Sequence, residues 1–146
     1  MRDEYVNAFY GLVKETRSYT GVNLPEHLEA YIVMLLASRI RKNEYLPKNT
    51  FAEEYLKLKR PATLDAKELG DTCLFVTGVF PTYGKKYGLN RTYYQDIGIG
   101  SYGLMSESLN ADLFEELSNH FVLLSDFIEV TVNRSGSKTI ELFNSL

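Results

Sequence analysis

Asp71 is the residue in this sequence whose surroundings demand an explanation. It lies inside LGDTCLFVTGVF, residues 69–80, where its neighbours are apolar or small. A lone ionised carboxylate in a dry interior is prohibitively costly, so this one must be paired, hydrogen-bonded or protonated. Arg91 and the hydroxyls of Tyr93 and Tyr94, on the next helical segment, are the candidate partners. Two readings follow. Asp71 is either a structural polar clamp between two glycine-bearing segments or an acid at the floor of a pocket walled by tyrosines. Both predict severe damage from Asp71→Ala.

His120 is the second candidate. It follows Glu116 by four residues on a segment of helical periodicity, beside Leu117 and Leu124. A carboxylate and an imidazole at that spacing can share a metal, but a site needs three or four ligands. His27 belongs to another segment, so no metal is expected. His120 reads as an ion-paired or partly buried histidine, with a metal ligand or general base as the functional alternative.

Tyrosine usage is skewed: eleven tyrosines and no tryptophan, every tyrosine at or before Tyr102. Tyr83, Tyr87, Tyr93, Tyr94 and Tyr102 cluster around one loop and helix. Tyrosine joins apolar area to a hydroxyl and so suits interfaces and ligand walls, although semi-buried helix edges use it too. Gly98, Gly100 and Gly103 spell G-x-G-x-x-G, which binds a pyrophosphate only as a tight turn between a strand and a helix. Here the preceding residues read as a helix capped by Asn90, so the glycines are expected to serve close helix contact. Ser135 to Lys138 matches S-x-x-K without any companion motif and carries no argument. Cys73, the single cysteine, excludes an internal disulfide and is expected to be buried and inert.

The segments that must position these residues read as helices. Tyr5, Val6, Phe9, Leu12 and Val13 give an amphipathic helix over 3–17. Asn23 is the expected N-cap of a second, strongly apolar helix reaching Lys42, with Pro25 in its first turn and Glu26 completing a capping box. Thr50 with Glu53 predicts a short third helix. The central helix spans 63–80 and is apolar all round, the mark of a rod enclosed by protein. Gly70 and Gly78 would admit a neighbouring helix unusually close. Asn110 is expected to cap a last long helix with Leu113, Leu117, Phe121, Leu124 and Ile128 along one side. Residues 128–142 also read as two strands about a turn; the helix, running to Val132, is preferred.

The expected architecture is one all-α domain of about six helices over 1–133, with a loose tail at 134–146. A chain of 146 residues can bury a core without staples. The net charge of −3 argues against a nucleic-acid binder. Basic residues concentrate in 39–60 (Arg39, Arg41, Lys42, Lys48, Lys57, Lys59 and Arg60), read as a solvated helix end and loop, with a docking patch for an anionic partner as the alternative. The N-terminus has no apolar signal core, and the longest apolar run, Ala30 to Ala37, is too short to span a bilayer. A cytoplasmic protein free of membrane is expected, with no cofactor.

Gly70-Asp71, Leu74-Phe75, Gly78-Val79-Phe80, Tyr93-Tyr94, Gly98 and Tyr102 form a pattern that resembles an uncharacterised bacterial all-helical family with no assigned activity. The resemblance implies a helical fold and a continuous last helix, and it supplies no function. The leading expectation is a non-catalytic domain that binds a partner protein or self-associates. The alternative is a small-molecule or enzymatic pocket built on Asp71, Tyr94 and His120.

Overall fold

Helical periodicity and apolar content over most of the chain lead to helices throughout. The computed structural model describes residues 2–41, 45–58, 64–106 and 110–143. Seven helices of six residues or more are described: α1 Arg2–Thr20, α2 Glu26–Ser38, α3 Phe51–Leu56, α4 Leu64–Val79, α5 Arg91–Met105, α6 Ala111–Asn119 and α7 Phe121–Ser135. A single turn, α8 Ser137–Ile140, follows. No strand occurs among the described residues, so the hairpin reading of 128–142 gives way to helix.

Capping follows the sequence in part. Thr50 accepts from the Glu53 N–H and Asn90 from the Tyr93 N–H, as their positions predict. Asn23 and Asn110 do not cap. Pro25 stands immediately before α2, whose first turn makes no side-chain cap, and Asn110 makes none either.

α4 is the centre of the molecule. Every residue from Leu69 to Val79 is buried, because α2, α3, α5 and α7 all pack on it. The close approaches use different neighbours. A side-chain carbon on Gly70 would lie 2.7 Å from the Tyr102 ring of α5, whereas one on Gly78 would meet Ile128 of α7. The two glycines therefore admit two helices rather than one. On α5, Gly98 is covered by the Phe121 ring and by Cys73. All three glycines of G-x-G-x-x-G lie within α5 and none forms a turn.

The expected continuous last helix is broken at His120, which sits at φ −109°, ψ 17°. α6 packs chiefly on α5, while α7 packs on α4 and α1. One straight rod cannot serve both sets of neighbours, and Asn119-His120, both weak helix formers, is where it bends. Beyond α7 the segment expected to be loose turns at Gly136 (φ 96°) and returns to the body. Phe143 is 4% exposed, stacks on Phe9 and meets Phe75 edge to face. The Arg41 N–H donates to the Leu142 carbonyl. Residues 144–146 lie outside the described residues, as do Lys42, Lys59 and Arg60 of the basic segment.

Candidate functional site

Two regions gather the residues that chemistry singles out. The first surrounds Asp71, which is 4% exposed. Its Oδ1 accepts from Tyr31 at 2.5 Å and from Tyr102 at 2.6 Å, and its Oδ2 accepts from Lys67 at 2.6 Å. Tyr31 comes from α2, Tyr102 from α5, and Lys67 from the preceding turn of α4. The carboxylate is thus a knot between three helices. Burial holds the phenol of Tyr102 well above its usual range, and the negative charge of Asp71 adds to the effect. Tyr31 is raised for the same two reasons. Both phenols are therefore proton donors throughout the physiological range. An open cleft of about 290 Å³ between α2 and α4 has Asp71 and Lys67 on one wall and Leu35 and Arg39 on the other.

The expected partners of Asp71 are elsewhere. α4 and α5 run antiparallel, so the start of α5 meets the end of α4 and Tyr102, near the end of α5, meets Asp71. Arg91 Nε donates to the Thr77 carbonyl at 2.9 Å, answering one of the acceptors left open in the last turn of α4. Its two terminal nitrogens pair with Asp126 at 2.9 Å and Glu129 at 3.1 Å on α7. Tyr93 accepts from the Ala52 N–H at 3.2 Å, which satisfies a free donor in the first turn of α3. His120 is exposed at the break before α7. Glu116 instead meets His27 of α2, 2.9 Å from Nε2. Asp71, Tyr94 and His120 do not converge: eight residues of helix, about 12 Å at 1.5 Å per residue, separate Tyr94 from the Tyr102 that holds Asp71. No group of three or more histidine, cysteine, aspartate or glutamate side chains among the described residues is placed to hold a metal.

Tyrosines build the second region. Tyr83, Tyr93 and Tyr94 pack edge to face with ring centroids 4.8–5.2 Å apart, and Phe51 joins Tyr94 at 5.0 Å. Together with Tyr87 and Leu89 they wall a pocket of about 460 Å³. Tyr83 and Tyr87 also wall a wider hollow, about 840 Å³, that continues past Phe80, Lys85 and Lys86. The loop reaches this position through Gly84, at φ 88°, where any side chain would strike the Tyr94 hydroxyl. Burial pushes the Tyr94 phenol up to about 12, with the neighbouring tyrosines adding to it, and raises Tyr83 as well. Neither phenol is a ready base. Burial likewise raises the Cys73 thiol, which leaves it unreactive.

Residue by residue, sequence reasoning found Asp71 and the tyrosines but missed Tyr31, Lys67 and Phe51. Lys67 was legible, since i and i+4 face each other on a helix. Tyr31 and Phe51 arrive from distant segments and left no local signal.

No family model matches the chain, and searches of curated proteins and of solved structures found no match either. The resemblance to an uncharacterised helical family rests on its motif residues alone. Among the described residues no helix is long and apolar enough to cross a membrane.

Proposed function

We propose that this chain is a non-catalytic, cytoplasmic protein-interaction module whose docking face is the tyrosine-walled pocket and the hollow that shares Tyr83 and Tyr87 with it. One contrast carries the reading. The chain has a net charge of −3, yet among the described residues those lining these two hollows include Lys85 and Lys86 and no carboxylate. Rigid aromatic rings with few rotatable bonds bind a partner with little loss of entropy. Tyr87, 69% exposed, is the ring most available to a partner. The fitting partner is a protein segment with an apolar or aromatic anchor flanked by acidic residues. A non-catalytic role is favoured because the phenols of Tyr83 and Tyr94 hold their protons and the Asp71 carboxylate is already engaged on both oxygens.

Selection from a displayed random-peptide library tests the proposal. The expected outcome is enrichment of an apolar anchor next to Asp or Glu. Binding of the enriched peptide should fall about tenfold or more in Tyr87→Ala, the loss typical of a truncated aromatic anchor. The double variant Lys85→Glu, Lys86→Glu should lose it as well. Peptides that bind all three proteins equally would refute the assignment. Sedimentation over a concentration series covers self-association: a dimer that Tyr87→Ala dissociates would make a second copy the partner.

A further inference from the structure

The cleft beside Asp71 contains an arginine whose hydrogen bonding is incomplete. Arg39 ends α2 and is 7% exposed. Its guanidinium lies over the Tyr45 ring, 4.7 Å from the centroid, and Nη1 donates to Ser38 Oγ at 3.3 Å. Nε and Nη2 are buried without a hydrogen-bond partner. The nearest carboxylate oxygen, Glu68 Oε2, is 3.7 Å from Nη2, too far for a hydrogen bond.

Those two nitrogens share one edge of the guanidinium plane. Their N–H groups run side by side at the spacing of two oxygens on a single carbon or phosphorus, the fork that grips carboxylates and phosphates. Leaving such donors buried and unanswered is destabilising, so this edge favours an acceptor that can reach it. The same cleft holds Lys67, whose ammonium makes one hydrogen bond, to Asp71, and has donors to spare. Met34 and Leu35 supply an apolar wall for the body of a ligand.

We propose that this cleft binds a small molecule through a carboxylate or phosphate group, gripped side-on by Arg39 Nε and Nη2 with Lys67 as the second donor. Glu68 holds the place electrostatically in the free protein and moves aside for the ligand; at 58% side-chain exposure its carboxylate can turn into water. Arg39 faces Glu68 and Lys67 faces Asp71, so the cleft has no surplus positive charge until Glu68 leaves. Affinity is accordingly modest, and neutralising Glu68 increases it. The proposal is independent of the tyrosine face.

The test follows the Arg39 Nε–H signal by nitrogen-edited NMR during titration with sodium acetate, inorganic phosphate or sodium chloride at matched ionic strength. A saturable shift in the millimolar range with acetate or phosphate, absent with chloride, is expected. Saturation by acetate alone identifies a carboxylate ligand, and by phosphate alone a phosphate. Arg39→Lys keeps the charge, removes the fork and should abolish binding. Glu68→Gln should tighten it about two- to fivefold, the worth of removing one competing exposed charge. Glu68 is exposed, so that variant keeps the test decisive even if Arg39→Lys fails to fold. Shifts that grow without saturating in all three salts, or an affinity that Glu68→Gln leaves unchanged, would overturn the proposal.

Discussion

Both phenols that reach Asp71 converge on the same oxygen, Oδ1, while Lys67 takes the other. That asymmetry separates two substitutions. Asp71→Ala leaves the fully buried Tyr102 hydroxyl without an acceptor and should destabilise the fold by about 2–4 kcal/mol, since an orphaned buried donor costs 1–3 and the loss of the ion pair adds to it. Asp71→Asn keeps an oxygen for both phenols and frees Lys67 to turn to water, so about 1–2 kcal/mol is expected. Urea unfolding of the two variants checks this; equal losses would mean that the phenol bonds contribute nothing. The importance of Asp71 was legible in the sequence, because any carboxylate in so apolar a run must be answered. Its partners were misassigned to Arg91, Tyr93 and Tyr94. A carboxylate eight residues before the end of α4 meets the far end of an antiparallel neighbour, and adjacency in sequence points to the wrong end.

α5 contains the sharpest test of helix packing. Gly98 is sealed by the Phe121 ring and by Cys73, whereas a side-chain carbon on Gly103 would find nothing nearer than Ser118 Oγ at 3.7 Å. Alanine gains about 0.8–1 kcal/mol over glycine within a helix. At Gly103 that gain should appear as a net stabilisation of up to about 1 kcal/mol. At Gly98 overpacking, worth roughly 1–3 kcal/mol, should outweigh it and make Gly98→Ala destabilising. Thermal unfolding of the pair reads both signs, and two shifts in the same direction would contradict the packing. That α5 is a helix capped by Asn90 could be read from periodicity. Which glycine touches a neighbour could not, because spacing along one helix does not say which element lies against each face. The break at His120 is not legible in the sequence for a related reason: the apolar stripe continues through it, and only the different neighbours of α6 and α7 force the bend.

At the scale of the molecule, burial has placed several phenols where ionisation opposes folding. Tyr31, Tyr83, Tyr94 and Tyr102 all have folded-state values above that of a free phenol, Tyr94 at about 12. A group that holds its proton more tightly when folded contributes stability fully present below its unfolded value. That contribution is lost as pH climbs from about 10 through the folded value. Stability should therefore hold level from neutrality into the mild alkaline range and fall once pH passes about 10. Urea melts across this range, with tyrosinate absorbance followed in parallel, check it. Ionisation of all eleven tyrosines before any loss of structure would contradict the burial described. Surface charge acts at the same scale: on the proposed reading, a tyrosine hollow whose charged lining among the described residues is Lys85 and Lys86 would sort partners by sign as well as by shape.

The amino-acid sequence by itself determined the helical class, the enclosure of 69–80 (complete as far as Val79, with Phe80 half-buried) and the presence of one buried acid needing partners. Each of these follows from local composition and a 3.6-residue period, which act within a single segment. The tertiary structure decided which side chains answer Asp71, that Phe51 joins the tyrosines, that Glu116 pairs with His27 and that two nitrogens of Arg39 are buried without a hydrogen-bond partner. Those contacts join residues far apart in the chain, and their energies exist only once the helices have chosen their neighbours.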